Sequence, residues 1–399
     1  MNEAGLDLDG FRASARDWLE HNAPERLRGV PELVTEVIAS GAELPPDIEL
    51  WKRRLATKGW GVPTWPIVYG GGGLGPPAAR VLAEEMARMG TGNPMSGIGA
   101  SMLGPTLLEY GTEDQKQRHL PPIARGETRW CECYSEPSAG SDLASLQMRC
   151  DDAGDHWLIN GHKIWTSGAQ FADWGFCLVR TDRLRKHEGI SFVLVDMSQP
   201  GVDVRPIPLI SGLSPFCETF FTDAVARKDD MVGPLNGGWT IGKRLLQHER
   251  SSQGGARTAG VVGSLAELGR GYVGVDTAGR LADGDLRGRL ARHMMDAQAH
   301  ALTMARIAAE ARGAGGPGPA ASIMKLSSTR IGQERSELAL EILGAQGLGW
   351  EGDPFTPAEL AAVQGWLWGK ATTIAGGSAE IQHNIIAKRI LGLPDPAGS

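Results

Sequence analysis

The hydrophobic period changes twice along this chain, and that alone divides it into three consecutive blocks. Residues 1–127 carry helix formers at helical spacing, with Phe11, Ala15, Trp18 and Leu19 on one face. "AARVLAEEMARMG" follows at 78–90, and "EDQKQRHLPPIA" at 113–124 opens on Glu113-Asp114, where a helix start favours negative charge. From 128 to 233 the runs become short and rich in β-branched and aromatic residues, such as "TRWCECY", "HWLINGHKIWTS", "DWGFCLVRTD" and "ISFVLVDM". Strands at this spacing, with no helices between them, predict a compact antiparallel barrel or sandwich. Asn160-Gly161 reads there as a hairpin turn. From 234 to 399 helical periodicity returns in four long segments, near 238–275, 281–313, 318–346 and 355–391. Short connections between four long helices predict an up-and-down bundle.

At 399 residues the chain is too long for one hydrophobic core. A formal net charge of −7 argues against nucleic acid as a partner. No apolar run approaches the ~18–20 residues of a membrane span, and the first residues lack the basic end and apolar stretch of an export signal. The five cysteines, at 131, 133, 150, 177 and 217, then read as reduced thiols of a cytoplasmic protein. Cys131-x-Cys133 has no second pair and no nearby histidine cluster, so no metal is expected. Gly70-x-Gly72-x-x-Gly75 formally matches a dinucleotide fingerprint. Two prolines precede it and Pro76-Pro77 follow, so it reads as a loop between helices, without the strand that fingerprint requires.

Three stretches carry chemistry. "CYSEPSAGSDLASLQ" (133–147) combines small residues that let a ligand approach the backbone with the hydroxyls of Ser135, Ser138 and Ser141. "INGHKIWTSGAQFADW" puts Trp165 beside Thr166 and Ser167, which suits a flat heteroaromatic ring needing stacking and a hydrogen bond; a core tryptophan is the plainer alternative. "ATTIAGGSAEIQHNIIAKRILGLP" (371–394) starts a helix after a Gly-Gly-Ser turn, as an anion site or as an ordinary capped helix with Ser378 as cap and Glu380 in the first turn. Within "RLLQHERSSQGG" (244–255), Glu249 continues the helix face of Ile241 and Leu245. A carboxylate on an apolar stripe must be paired or protonated.

Taken together and in this order, "SEPSAGSD", "INGHKIWTS", "RLLQHER" and "TIAGGSAEIQHNIIAKRILGLP" resemble the signature segments of the acyl-CoA dehydrogenase family, over about residues 7–394. The resemblance implies an N-terminal helical domain (1–127), a middle β-barrel domain (128–233) and a C-terminal four-helix bundle (234–399). It also implies FAD, acyl-CoA substrates, an electron-transfer flavoprotein as acceptor, and a homotetramer or dimer. By the same resemblance, Tyr134, Ser135, Gly140 and Ser141 border the flavin, with Ser141 also near the substrate. Trp165, Thr166 and Ser167 meet the isoalloxazine ring. Glu341, Gly344, Ser378 and Glu380 supply the second half of the site from a neighbouring subunit.

Oxidation to a 2-enoyl thioester needs a carboxylate to take the α-proton. Many family members carry it at the position that is Gly376 here. A smaller subset, including enzymes like isovaleryl- and long-chain acyl-CoA dehydrogenases, uses a Glu-Arg pair on the first bundle helix, which matches Glu249-Arg250. Glu249 is therefore the expected base and Arg250 a substrate contact, and the small residues Ser251, Ser252, Gly254 and Gly255 leave room for a bulky or branched acyl group. One departure stands out. The family's Arg-x-x-Phe-Gly segment is missing from "YVGVDTAGRLADGDL" (272–286). That departure supports one rival reading, a flavin-poor or non-catalytic partner subunit of a heteromer; a flavin oxidase or monooxygenase of the same fold and a nucleic-acid-binding relative, which the acidic balance disfavours, are the other two.

Overall fold

The computed structural model describes residues 7–253, 264–314 and 320–394. They fall into two compact units, residues 1–207 with 214–248, and residues 208–213 with 249–399.

The first unit begins with six helices: α1 (Leu8–Asn22), α2 (Pro31–Ser40), α3 (Pro46–Lys58), α4 (Pro76–Met89), α5 (Gly104–Tyr110) and α6 (Glu113–Ala124). Local chemistry sets their ends. Asp7 caps α1 by accepting from the Gly10 amide at 2.9 Å. Thr112 and Gln115 exchange side-chain and backbone hydrogen bonds at the start of α6, beneath the acidic pair read from the sequence. The glycine run ends at Gly75, which precedes Pro76 in the first turn of α4; a short 3₁₀ turn at 67–69, not a strand, comes before it, so no dinucleotide fold forms. Inside the helices, Arg12, Arg16 and Arg88 converge on Glu85 at 3.0, 2.9 and 2.8 Å, tying α1 to α4. The Arg16 hydrogen bonds, opposed by burial and joined by Arg88 and Arg12, hold the Glu85 carboxyl down at about 2. Gly104 is required by close approach, since a side chain there would start 1.9 Å from the Trp65 ring.

Eight strands follow: β1 (Trp130–Cys133), β2 (Arg149–Asp152), β3 (His156–Ser167), β4 (Trp174–Arg180), β5 (Ile190–Asp196), β6 (Val202–Ile207), β7 (Phe216–Arg227) and β8 (Met231–Val232). They form one sheet in the order β6-β7-β3-β2-β4-β5-β8, with β1 parallel to β4. The expected barrel is not closed. β6 and β8 are the two ends of the order and do not pair, and β8 is only two residues long before the chain turns back to helix. β4 and β5 are buried on both faces, which explains their unbroken apolar runs. One face packs Phe176, Leu178, Phe192 and Leu194 against Leu103, Leu107 and Leu120 of the helices; the other packs Val193 and Val195 against Ile159 and Phe221. Each fully buried Phe or Leu contributes roughly 1.5–3 kcal/mol.

Asn160-Gly161 is not a turn. Both residues lie inside the continuous strand β3, at a register shift against β7. The Asn160 amide group instead exchanges hydrogen bonds with Asp223, at 3.0 and 2.9 Å. Gly161 serves a close approach, because a Cβ there would sit 2.8 Å from the Met148 Cα. Tertiary packing overrides the local turn preference.

His119, on α6, is buried with its ring edge-on to Trp130 and Trp174 at 5.2 and 5.0 Å, and its Nε2 accepts from the Arg118 Nε at 3.0 Å. Burial first, then the charges of Arg118 and Arg227, push its pKa down to about 4, against a smaller opposing effect of Asp229. An unfolded histidine titrates near 6.5, so between these values the unfolded chain binds more protons. The stability His119 contributes is complete above about pH 6.5 and is lost as pH falls through 4, about 3 kcal/mol in all. His119→Gln is expected to flatten the fall of the melting temperature between pH 7 and pH 4. An unchanged slope would assign that fall to other groups.

The second unit is helical. α7 (Gly238–Gln253) starts in the first unit and reaches Glu249 in its last turns; α8 (Leu265–Tyr272), α9 (Gly284–Ala314), α10 (Ala320–Leu343), α11 (Pro357–Gly369) and α12 (Ala379–Ile385) follow. The four longest, α7, α9, α10 and α11, come one from each expected segment. The fourth segment is broken at 370–378, where Gly376 and Gly377 take φ of +64° and +90°. α10 packs against α8, α9, α11 and α12, and Leu265, Leu286, Leu290, Leu338 and Ile342 form the core. Ser251, Ser252, Gly254 and Gly255, the small residues after Glu249, have side chains or backbone outside the described residues, as does the Arg250 side chain. Among the described residues no helix is long and apolar enough to cross a membrane.

Candidate functional site

In the first unit the loop after β1 is held from beneath by a buried ion pair. Lys163 of β3 has no exposed surface; its ammonium donates to the Tyr134 carbonyl at 3.0 Å and to the Glu136 carboxylate at 2.8 Å. Glu136 also accepts from the backbone amides of Gln147 and Met148, at 2.6 and 2.8 Å, and the Ile164 amide donates to the Ser135 carbonyl at 2.9 Å. The loop thus lies against β3, with the Tyr134 ring inward, edge-on to Phe176 and Phe192. Its far side is open: Gly140 and Ser141 are exposed, and a side chain at Gly140 would meet nothing within 4 Å.

Trp165 is not a core residue. It sits at a bulge between β3 and β7, at φ +63°, with 52% of its surface exposed and its ring edge-on to Phe216 at 5.9 Å. A bulky residue at positive φ is strained, and such bulges re-aim side chains. The cost is of order 1–3 kcal/mol, and strain of this kind clusters at ligand clamps. The same bulge turns Thr166 inward, where its hydroxyl is used by the Cys217 carbonyl at 2.9 Å and the Thr219 hydroxyl at 2.8 Å. What Thr166 can offer a ligand is its backbone. Ser167, at the strand end, is half-buried.

In the second unit, Glu341 of α10 forms an ion pair with Arg289 of α9 at 2.6 Å, and Gly344, at φ +57°, ends α10 with open space beside it. Ser378 caps α12 by accepting from Ile381 at 3.4 Å, and Glu380 is an exposed carboxylate held low by backbone amide and Ser378 hydrogen bonds. Beneath this turn the Gln382 side chain is buried; its Nε2 donates to the Gly377 carbonyl at 3.2 Å, while its Oε1 has no hydrogen-bond partner among the described residues. Taken separately, each unit offers one feature of the kind a flavin dinucleotide needs: the first an exposed, strained indole, the second a glycine turn over a buried acceptor with no partner among the described residues.

Glu249 continues the stripe on which Ile241 and Leu245 are fully buried, and is itself half-buried. Its sequence neighbour His248 does not neutralise it: His248 and Arg244 both turn to Glu109 of α5, at 3.4 and 2.7 Å. The Glu249 carboxylate instead acts on Lys325 of α10, raising a pKa that burial lowers. Lys163, Glu136 and Lys325 were not among the residues singled out from sequence. Lys163 had a readable signal, since it shares the inward parity of Trp157 and Ile159 along β3. Lys325 had none.

The segment that lacks Arg-x-x-Phe-Gly closes on itself. Asp276 accepts from the amides of Ala278 and Arg280, at 2.9 and 3.0 Å, and from the Arg280 Nε at 3.0 Å. Among the described residues no cluster of His, Cys, Asp and Glu is arranged to hold a metal ion.

Sequence models of the acyl-CoA dehydrogenase N-terminal, middle and C-terminal domains match residues 7–127, 131–224 and 236–391. The chain is 36% identical to the acyl-CoA dehydrogenase IpdE1 of Mycobacterium tuberculosis, over 98% of this chain and 99% of that one. Among solved structures, the Tcur3481-Tcur3483 steroid ACAD superposes with a TM-score of 0.79 at 29% identity, covering 99% of this chain and 100% of that chain. The ChsE4-ChsE5 complex from Mycobacterium tuberculosis gives 0.75 at 28%, covering 99% and 100%.

Proposed function

The chain belongs to the acyl-CoA dehydrogenase family of FAD-dependent oxidoreductases, and we propose that it oxidises an acyl-CoA thioester to the 2-enoyl-CoA with Glu249 as the base. The carrying observation is Glu249 itself: a half-buried carboxylate at the end of an apolar stripe, in the field of a cation, in a chain whose alternative base position is Gly376 at φ +64°. A glycine there has no group to take a proton. On this reading the Glu249 carboxylate accepts the α-proton as the α-carbon–hydrogen bond breaks. A bound flavin would supply the acceptor for the β-hydrogen and its electron pair, with an electron-transfer flavoprotein as the onward acceptor. The chain's own residues orient and exclude water. Trp165 would hold the ring by stacking, with Ser167 as a hydrogen-bond donor and Thr166 contributing its backbone. Tyr134, Ser135 and Gly140 shape the loop beside it, with Ser141 toward the dinucleotide or the thioester arm. Glu341, Gly344, Ser378 and Glu380 would serve the dinucleotide of a neighbouring subunit, and Arg250, whose side chain lies outside the described residues, is the proposed substrate contact.

For the acyl group, the likeness to a steroid ACAD puts polycyclic thioesters in the first test panel, beside straight and branched chains. The purified protein is expected to be yellow and to bleach when a matching acyl-CoA is added without oxygen. A yellow protein that no thioester bleaches, and that consumes oxygen with a reductant, would overturn the dehydrogenase reading in favour of an oxidase or monooxygenase.

A second reading has one observation behind it. The 272–286 segment spends Arg280 on Asp276, so it offers no free cation of the kind the family uses across a subunit contact. This supports a heteromer with a related subunit, as the ChsE4-ChsE5 relative is a complex. A colourless protein that takes up no added FAD until a partner is co-expressed is the result that reading expects.

A further inference from the structure

We propose that Lys325 is a positioning residue for the base: from α10 it clamps the turn 372–375 through two backbone carbonyls and presents its remaining charge to Glu249. The proposal rests on the assignment of Glu249 as base. Its geometry lies wholly within the second unit. The Lys325 ammonium donates to the Thr372 carbonyl at 2.6 Å and the Ala375 carbonyl at 2.8 Å. Both carbonyls precede the left-handed pair Gly376-Gly377 and the Ser378 cap, in a stretch that is neither long helix nor strand. An ammonium has three donors, so two fixed bonds hold its position while its charge still acts beyond them. Lys325 is half-buried, which costs its charged form, and Glu249 is the group whose charge offsets that cost.

Several other ionic groups on the elements around α10 are engaged with one another. Lys370 pairs with Glu337 at 2.6 Å, Arg330 with Asp296 at 3.4 Å, and the Glu380 carboxylate is acted on by His383. On its own helix, His248 and Arg244 are turned to Glu109. A cation facing a carboxylate favours its ionised form, so Lys325 keeps Glu249 able to accept a proton at lower pH. The same side chain fixes the turn that, in other family members, bears the base. One lysine thus couples the two places a base can occupy in this fold.

Lys325→Met in the flavin-loaded protein is expected to shift the acidic limb of the pH profile of flavin reduction upward by about one pH unit. Lys325→Arg, which keeps the charge, is expected to restore the limb while leaving the maximal rate low, because its planar fork spaces the carbonyls differently. Hydrogen exchange of amides 371–378, read on flavin-free protein, is expected to quicken in Lys325→Met. Should Met prevent folding, Lys325→Gln keeps one amide donor and removes the charge, and the same limb shift is expected. An unmoved limb in Met and Gln variants, with Glu249→Gln inactive, overturns the role of Lys325 alone. A fully active Glu249→Gln overturns the base assignment, and this proposal with it.

Discussion

Glu249→Gln is expected to yield a protein that folds, retains FAD and binds acyl-CoA, yet reduces its flavin about 10²–10⁴-fold more slowly, the usual contribution of a positioned general base. Glutamine matches the shape of glutamate but cannot accept the α-proton. The packing of α7 runs through Ile241 and Leu245, both fully buried, and the substitution leaves it untouched. A large loss of rate with unchanged melting temperature is therefore the signature of lost chemistry. Rapid anaerobic mixing with a substrate thioester measures it directly, since product release does not intrude on the first flavin reduction. Unchanged reduction would send the search to another carboxylate.

The largest structural effect is expected from Lys163→Met. The lysine has no exposed surface, and removing it strands the Glu136 charge and deprives the Tyr134 carbonyl of its donor. Breaking a buried pair by deleting one partner costs about 3–5 kcal/mol. Two backbone amides still serve Glu136, which favours the lower end of that range. The double variant Lys163→Met/Glu136→Gln is expected to lose less than the sum of the single losses, because neither charge then remains uncompensated. Urea unfolding of the four proteins closes the cycle. Additive losses would show that the two side chains act independently, and that the loop before Gly140 is not held by their pairing.

The helices were legible because their signals are local. Apolar spacing, the Thr112 and Gln115 exchange and the Gly75-Pro76 boundary each lie within a few residues of what they determine. Sheet closure is not local: nothing within β6 or β8 says that these two strands fail to meet. Asn160-Gly161 shows the same limit at smaller scale, since the demand for glycine comes from Met148, just before the neighbouring strand β2. Trp165 was visible as a residue to weigh, but only the bulge decided between core and surface. The half-buried setting of Glu249 was readable from its stripe. Its cation was not, because Lys325 lies on another helix, and spacing along one helix carries no information about the next. Thr166 shows the reverse case, a residue expected at the site whose hydroxyl is already committed inside the sheet.

An unclosed sheet leaves two borders along which a second chain could add a strand, and this one defends both. The outer strand β6 carries Pro206, which has no amide hydrogen to donate, and an Asp203–Arg205 ion pair at 2.6 Å. The opposite border is shortened to two residues at β8. Strand-by-strand growth between copies is thus blocked by chemistry at one rim and by length at the other. The fold can keep its sheet unsealed without becoming a template for fibres.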